Sequence, residues 1–496
     1  MQGNELGDAV KVSRISSAEV IAKGDRFAKL LDEAGIPRDA TIVLLSGNRT
    51  EFLWCLRGAS WSGRNVVPMS CRWGVADAAH VLADSGAACL VADAGQAELA
   101  TALANQVPAA ARFVFGGSLA GFQEIESLLP ASAEPCAGER AGDVVPYTSG
   151  TTGQPKGVVR APRTGPPPTF SALRGAAMLM QTPGADSGTH LVCTPLYHSA
   201  PLFYADGAVH LGNDVVVMER FDAEALLAAI EEHQVASMFV VPTQLTRMLA
   251  LPEEVRARYD LTSLRLVMHS AAPISIAVKR AAIEWLGPVL YEFYGGSEGG
   301  GATGINSADW LAHPGSVGRI ISGAAIRILD EEGNQLPAGV EGQIWFEGGE
   351  SWEYRDAPEK TAAARRPGMG TLGDIGYLDG DGYLYLCDRR TDLVISGGVN
   401  VYPAQVEGVL QAHPGVADVC VFGTPDPEWG QVVTAAVHPA AGQGPELVDE
   451  LIAWARERLG GPQVPRRIVL TELVRTETGK LSRGKVRDAL LAQGRR

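Results

Sequence analysis

Long uninterrupted hydrophobic runs are absent from this sequence. Its most apolar stretches, such as residues 235–242, fall far short of the ~20 residues that a membrane-spanning helix requires. Positive charge is scarce: 42 Lys and Arg are set against 57 Asp and Glu, a formal net charge of -15. That balance opposes broad electrostatic binding to nucleic acid or anionic membranes, while leaving room for a small basic pocket that holds phosphates. Residues 1–10 lack the basic region followed by an apolar stretch that marks a signal peptide, so none is expected. The seven cysteines, at 55, 71, 89, 136, 193, 387 and 420, show no paired metal-type spacing. An odd, dispersed set fits reduced thiols in a cytoplasm better than a disulfide framework. No tandem repeat occurs, and the one biased stretch, residues 162–168, is too short to link domains. What is there is an ordinary globular composition, 46% hydrophobic and 20% charged, spread over 496 residues. Two or three domains of a soluble cytoplasmic enzyme are expected.

The first third alternates two periodicities. Residues 41–45, 66–69 and 88–92 are short apolar runs, separated by helical stretches at 49–61 and 75–83. Almost wholly apolar strands that alternate with helices predict parallel strands covered on both faces. The unit returns at Asp222, a helix-capping residue ahead of an apolar stripe of Leu226, Leu227 and Ile230, with 238–241 as the next strand. The expected class is α/β, with a large N-terminal domain of doubly wound sheets. From about Ile326 the texture changes to short strands with Gly-rich turns, at 325–329, 343–346 and 383–386, which predict a β-rich subdomain. Beyond Arg390, helices at 404–411 and 446–458 alternate with strands at 416–422, 432–437 and 468–471. That is enough for a small C-terminal α+β domain of about a hundred residues.

The chemistry concentrates in residues 147–157, Tyr-Thr-Ser-Gly-Thr-Thr-Gly-Gln-Pro-Lys-Gly. Three glycines let backbone N–H groups turn toward an anion, four hydroxyls add donors, and Lys156 adds charge. Such a composition suits a loop that grips a polyphosphate. It is not a Walker loop, because no Gly-Lys pair follows a first Gly by five residues. A merely flexible surface loop is the competing reading, and so long a biased run directly after Val144 and Val145 opposes it.

This segment resembles the phosphate-loop signature of the adenylate-forming superfamily, which comprises acyl- and aryl-CoA synthetases, peptide-synthetase adenylation domains and beetle luciferases. Further signatures follow in family order and cover nearly the whole chain. The resemblance implies an adenylation domain over residues 1–388, a hinge at 389–391 and a mobile domain over 392–496. It assigns the ATP phosphates to Thr148, Ser149, Gly150, Thr151, Thr152, Gly153 and Lys156. Residues 294–298, Tyr-Gly-Gly-Ser-Glu, match the family's aromatic–Gly–x–Thr–Glu motif with Ser in place of Thr. By that match Tyr294 stacks on adenine, Ser297 faces the α-phosphate, and Gly295 and Gly296 lie beside the acyl substrate. Glu298, with Thr148, is then the Mg²⁺ ligand, a hard oxygen donor for a hard cation. Residues 270–273, Ser-Ala-Ala-Pro, resemble the small-residue turn on the other face of adenine, which places Ala271 and Ala272 there.

Residues 371–376 resemble the segment whose Asp binds both ribose hydroxyls, and one carboxylate can accept two O–H donors, so Asp374 takes that role. Leu372 stands where Thr is usual. Arg389, reaching ribose or phosphate, precedes the hinge position, which holds Thr391 instead of the usual Asp or Lys. Gly397 and Gly398 match the glycines that let the pantetheine arm of coenzyme A pass, where any side chain fills the tunnel. Residues 476–480 resemble the catalytic-lysine motif, with Val474 in place of the usual Pro, and the resemblance implies that Lys480 stabilises charge between substrate carboxylate and α-phosphate.

The implied reaction is that of an ATP-dependent acyl-CoA synthetase, an acid–thiol ligase using ATP, Mg²⁺ and coenzyme A. Its partners are then a small carboxylic acid, ATP and coenzyme A, with no nucleic acid and no membrane span, and a homodimer left open. Amino-acid-activating members of the family usually carry an Asp, to pair with the substrate ammonium, in the segment that corresponds to residues 197–199, where His198 stands instead. No carrier-domain serine motif follows Lys480. A stand-alone ligase that loads a carrier protein stays open, and nothing specifically supports a luciferase-like oxygenase. A non-catalytic nucleotide-binding homologue is opposed by Lys156, Glu298, Asp374 and Lys480, all present. His198 reads either as a hydrogen-bonded core histidine or as a gate at the acyl pocket. Residues 160–168 resemble actinobacterial synthetases for bulky alicyclic or steroid-like acids, which points to a bulky, cyclic acid, and His198 in place of a carboxylate points to one without an α-amino group.

Overall fold

The computed structural model describes residues 10–136, 138–148, 154–160, 165–181, 184, 186–296, 302–321, 323–348, 352–389, 392–396, 399–427, 429–473, 475 and 481–493. The chain divides into two compact units. One comprises Met1–Val240, Gln244–Met268 and Ser351–Pro358, and the other Val241–Thr243, His269–Glu350 and Glu359–Arg496.

In the first unit, five strands pair in the order Asn65–Met69, Thr41–Leu45, Ala87–Asp93, Arg112–Phe115, Gln123–Glu124, all parallel. The helices Thr50–Trp61, Val75–Asp84 and Ala97–Leu103 lie between them in the chain. Four of the five residues of Thr41–Leu45 are buried, as expected of a strand covered on both faces. A second set runs Val12–Ile15, Asp214–Met218, Thr189–Val192, Val235–Val240, parallel except for its first member. Local chemistry sets the helix starts: Ser16 and Glu19 form a reciprocal capping box, and the Asp222 carboxylate accepts from the Ala225 N–H as its position foretold. A third, small antiparallel sheet orders Trp352–Tyr354, Lys156–Arg160 and Tyr147–Thr148.

The second unit is richer in antiparallel pairing. Leu290–Gly295, Ala302–Asn306 and Arg319–Ile320 form one run. Gly342–Glu347 joins Ala325–Leu329, Met369–Gly370 and Asp374–Leu378, which in turn pairs with Leu384–Arg389. This β-rich sheet closes over Val317, Ile328, Ile344, Phe346 and Leu384. Toward the C-terminus, Val399–Val401, Val394–Ser396, Gly430–Pro439 and Val416–Asp426 make a further sheet, and Arg467–Leu470 pairs with Gly430–Pro439. Helices Pro403–Gln411 and Leu447–Arg456 help bury Val394, Val406, Leu410, Val421, Val437 and Leu451. All of those residues lie beyond 392, so this segment has a hydrophobic core of its own. Arg483 opens helix Arg483–Gln493 and bonds to Asp392 at 2.7 Å and to Glu407 at 2.7 Å, while Arg475 clasps Asp418 at 2.6 Å. The α/β class holds, with the β-rich and α+β parts where the sequence placed them. Among the described residues no helix is long and apolar enough to cross a membrane, and none of the seven cysteines is in a disulfide.

Candidate active site

The strands on either side of the phosphate-loop motif are paired. Tyr147 lies opposite Gly157 and Thr148 opposite Lys156, so the first and last polar members of the motif sit side by side. The Tyr147 ring covers Gly157 so closely that a Cβ there would come within 3.0 Å of the phenol carbon Cζ. Glycine is therefore the residue that this approach allows. The Tyr147 hydroxyl donates to Asp84 at 2.6 Å, and burial together with that carboxylate pushes the phenol up, which keeps it a donor. A ring nitrogen of His80 contacts the Pro155 carbonyl oxygen at 3.1 Å. Asp84 and His80 both come from helix Val75–Asp84, and neither stood out in the sequence, where they read as ordinary polar residues of an amphipathic helix. Ser149, Gly150, Thr151, Thr152 and Gly153 lie outside the described residues, as does the side chain of Thr148.

His198 is half-buried at the N-cap of helix Ser199–His210, with its ring 4.7 Å from that of Tyr197. The loop before it is held by buried Asn48, which accepts from the Leu196 N–H at 2.9 Å and donates to the Thr194 carbonyl at 3.3 Å. Helix Ser199–His210 meets helix Phe170–Leu179 at two glycines: a Cβ on Gly175 would fall 1.7 Å from the Phe203 oxygen, and one on Gly207 2.3 Å from the Ala176 nitrogen. Buried Asp206 accepts from Thr169 and Ser171 at the start of the neighbouring helix, and burial pushes its carboxyl up. The Arg160 guanidinium lies over the Phe170 ring at 4.6 Å, so the stretch that opens at Arg160 leads into the helix packed against the His198-bearing one. Residues 161–164 of that stretch lie outside the described residues.

In the second unit, motifs far apart in sequence meet. The Tyr294 hydroxyl donates to Asp374 Oδ2 at 2.6 Å, and the Tyr294 ring packs toward Phe346 at 6.2 Å. Asp374 is buried at 8% exposure and lies opposite Arg389 across an antiparallel pair. Thr371 fixes the approach to it: its hydroxyl donates to the Ile344 carbonyl at 2.7 Å and accepts from the Gly373 N–H at 3.0 Å, and Gly373 turns at φ +82°. Leu372, which replaces the usual Thr, packs against the apolar core under the β-rich sheet, so its side chain serves the fold. Gly295 and Gly296 follow Tyr294 at the end of strand Leu290–Gly295, half-buried. Ala271 in the turn 270–273 is exposed and held at φ +75°, a left-handed conformation that costs an L-residue free energy. Ala272 beside it is half-buried.

A charged cluster lies behind this turn. Lys279, with no exposure, donates to Glu292, and its ammonium stands 4.8 Å from the Trp310 ring centroid. His269 Nε2 is 3.9 Å from the same carboxylate oxygen, and burial, reinforced by Lys279, holds the imidazole well below its usual range and therefore neutral. The sequence does carry a signal for Lys279: it falls in register with Ala282 and Ile283 on the buried stripe of helix Ile276–Leu286, where a lysine needs a partner. Ser297, Glu298, Thr391, Gly397, Gly398 and Lys480 lie outside the described residues, as does the Arg389 side chain. Among the described residues no group of three or more His, Cys, Asp or Glu could hold a metal ion.

Residues 7–351 match the family described as AMP-binding enzyme, and residues 405–480 match the AMP-binding enzyme C-terminal domain. A feruloyl-CoA synthase of Amycolatopsis is 34% identical over 95% of this chain and 93% of its own length. A fatty acid–[acyl-carrier-protein] ligase of Streptomyces coeruleorubidus is 32% identical over 94% of this chain and 90% of its own. Among solved structures, the o-succinylbenzoate coenzyme A synthetase of Bacillus subtilis in complex with ATP and magnesium ion superposes with a TM-score of 0.78 at 26% identity, covering 95% of this chain and 94% of that one.

Proposed function

This chain belongs to the AMP-binding enzyme family, and from that membership we propose that it is an acyl-CoA synthetase for a bulky carboxylic acid without an α-amino group. The observation that carries the reading is the Tyr294–Asp374 hydrogen bond, which joins the residue proposed for adenine to the one proposed for ribose. The enzyme is an AMP-forming acid–thiol ligase that uses ATP, Mg²⁺ and coenzyme A.

A free carboxylate is a poor acyl donor because its leaving group would be oxide. Attack of the carboxylate oxygen on the α-phosphorus forms the acyl–phosphate anhydride bond and breaks the bond to pyrophosphate, which leaves. The coenzyme A thiol, losing its proton, then attacks the acyl carbon and AMP departs. Positioning and charge stabilisation supply most of the acceleration in the first step. Thr148 and Lys156 hold the phosphate chain together with Ser149, Gly150, Thr151, Thr152 and Gly153, and Ser297 faces the α-phosphate. Tyr294, Ala271 and Ala272 flank the base, Asp374 takes the ribose hydroxyls, and Arg389 adds positive charge. Lys480 stabilises the first transition state. Glu298 and Thr148 would hold Mg²⁺, which would supply charge neutralisation on the phosphates. Gly397 and Gly398 admit the pantetheine arm in the second step, after rotation at Thr391. The separate apolar core and the Arg483 and Arg475 clasps of the segment beyond 392 support its moving as one body.

The absence of an α-amino group in the substrate follows from charge. A buried ammonium without a partner costs several kcal/mol, and His198 with Tyr197 and Ser199 offers no carboxylate. A cyclic acid is supported by the similarity to a feruloyl-CoA synthase and by the small residues Gly295 and Gly296 beside the reacting carboxylate. His198, half-buried at a helix start, gates the acyl side. Thiols throughout support a cytoplasmic setting. Similarity to an acyl-carrier-protein ligase favours a second acceptor, a carrier thiol, for the same acyl-adenylate. Acid-dependent pyrophosphate exchange, screened over benzoates, fatty acids, amino acids and polycyclic acids, tests adenylation. Adding coenzyme A or a holo carrier protein to the same mixtures then identifies the acceptor. Absence of exchange with every acid in the screen would reject the proposal.

A further inference from the structure

Glu292 lies where three segments of the second unit converge, and it has no part in the reaction described above. Along strand Leu290–Gly295 side chains alternate, so Leu290, Glu292 and Tyr294 share one face. Glu292 is 6% exposed, and its carboxylate is reached from both sides of the turn 270–273. His269 comes to it at 3.9 Å from the residue just before the turn. Lys279 comes to it from helix Ile276–Leu286, which starts immediately after the turn under a Ser275 cap. The turn between them carries Ala271 at φ +75°, a conformation that persists only where its surroundings over-determine it.

We propose that Glu292 is a positioning residue for the adenine subsite: it ties the turn 270–273 to the strand bearing Tyr294 and sets the spacing of the two walls between which the base stacks. The inference rests on the reading of Tyr294 and the turn as those walls. A buried ion pair contributes little net stability compared with well-packed apolar groups of similar volume, so stability alone does not account for Lys279 and Glu292. A fixed spacing does account for them. The pair sets a donor–acceptor distance that apolar side chains, free to slide, do not set. The neutral His269 ring fills the third side without adding charge.

The discriminating variant is Lys279→Met with Glu292→Met, which removes both charges together and strands neither. It should keep the wild-type melting temperature and lose roughly 10-fold to 100-fold in kcat/KM for ATP, with KM for the acid and for coenzyme A unchanged. Its preference for ATP over GTP should narrow as well. A double variant with wild-type kcat/KM for ATP would leave the pair a purely structural device and overturn the proposal. Glu292→Asp, which shortens the tie by one methylene, provides the same reading should the double variant fail to fold. It should raise KM for ATP alone, and an unchanged KM overturns the proposal equally. Tyr294→Ala separates the two levels of the argument. If it leaves KM for ATP untouched, the adenine reading itself falls and takes the proposal with it. If it raises KM while the Glu292 variants do not, only the positioning role is lost.

Discussion

Tyr294 donates its hydroxyl to Asp374 at 2.6 Å, across eighty residues of sequence. The bond occupies one of the roughly four lone-pair sites on that carboxylate and leaves the others for ribose. It fixes the plane of the acid before nucleotide arrives. Tyr294→Phe keeps the ring for stacking and releases the acid; a hydrogen bond to a charged carboxylate contributes about 1.5–3 kcal/mol, of which only the part that orients the acid acts on ATP binding. KM for ATP should therefore rise by roughly 2-fold to 10-fold, measured in pyrophosphate exchange, while KM for the acid stays put.

Removing the acid itself should cost more. Asp374→Ala forfeits about 1.5–3 kcal/mol of ATP binding for each charged hydrogen bond lost. It should also discriminate less than wild type against 2′-deoxy-ATP. Competition between ATP and the deoxy analogue reads this directly, and an unchanged preference would remove Asp374 from the ribose site.

Ala271 at φ +75° gives a prediction about stability. A left-handed alanine costs about 1–2 kcal/mol, and glycine in its place returns about 0.5–1 kcal/mol of that as lost chain entropy. Ala271→Gly should accordingly stabilise the protein by about 0.5–1 kcal/mol in denaturant titration. A destabilised variant would mean that the methyl group makes a contact worth more than the strain.

The alternation of strands and helices was legible because each buried strand, such as Thr41–Leu45, is almost wholly apolar and each helix carries one stripe. Asp222 showed its cap because Asp before an apolar period has few other uses. Motif residues were legible one by one, but not their meeting: nothing in the order of the chain says that Tyr294 bonds to Asp374. Nor could sequence tell that Leu372 replaces a polar residue because its side chain packs into the core. Asp84 and Glu292 escaped notice for a related reason. Each looks like a solvated carboxylate until a buried phenol or ammonium is found against it.

The two half-reactions should separate by mutation. Lys480→Ala removes one preorganised donor and should lower adenylation on the order of 10²-fold to 10³-fold, while sparing thioester formation from supplied acyl-adenylate. Gly398→Leu should do the reverse. Equal losses in both assays for either variant would contradict the exchange of active conformations about Thr391.

The central claim concerns what is joined to what. Its most direct measurement is kcat/KM for coenzyme A-dependent release of AMP across matched linear, aromatic, polycyclic and α-amino acids, with the acyl-CoA product identified by mass. Apolar pockets discriminate by only about 1–3 kcal/mol per methylene, so several cyclic acids should turn over within a few hundred-fold of one another. The account predicts that a cyclic, largely apolar acid without an α-amino group leads the series and yields its coenzyme A thioester. Preference for any α-amino acid, or for a long linear fatty acid over every cyclic one, would contradict it.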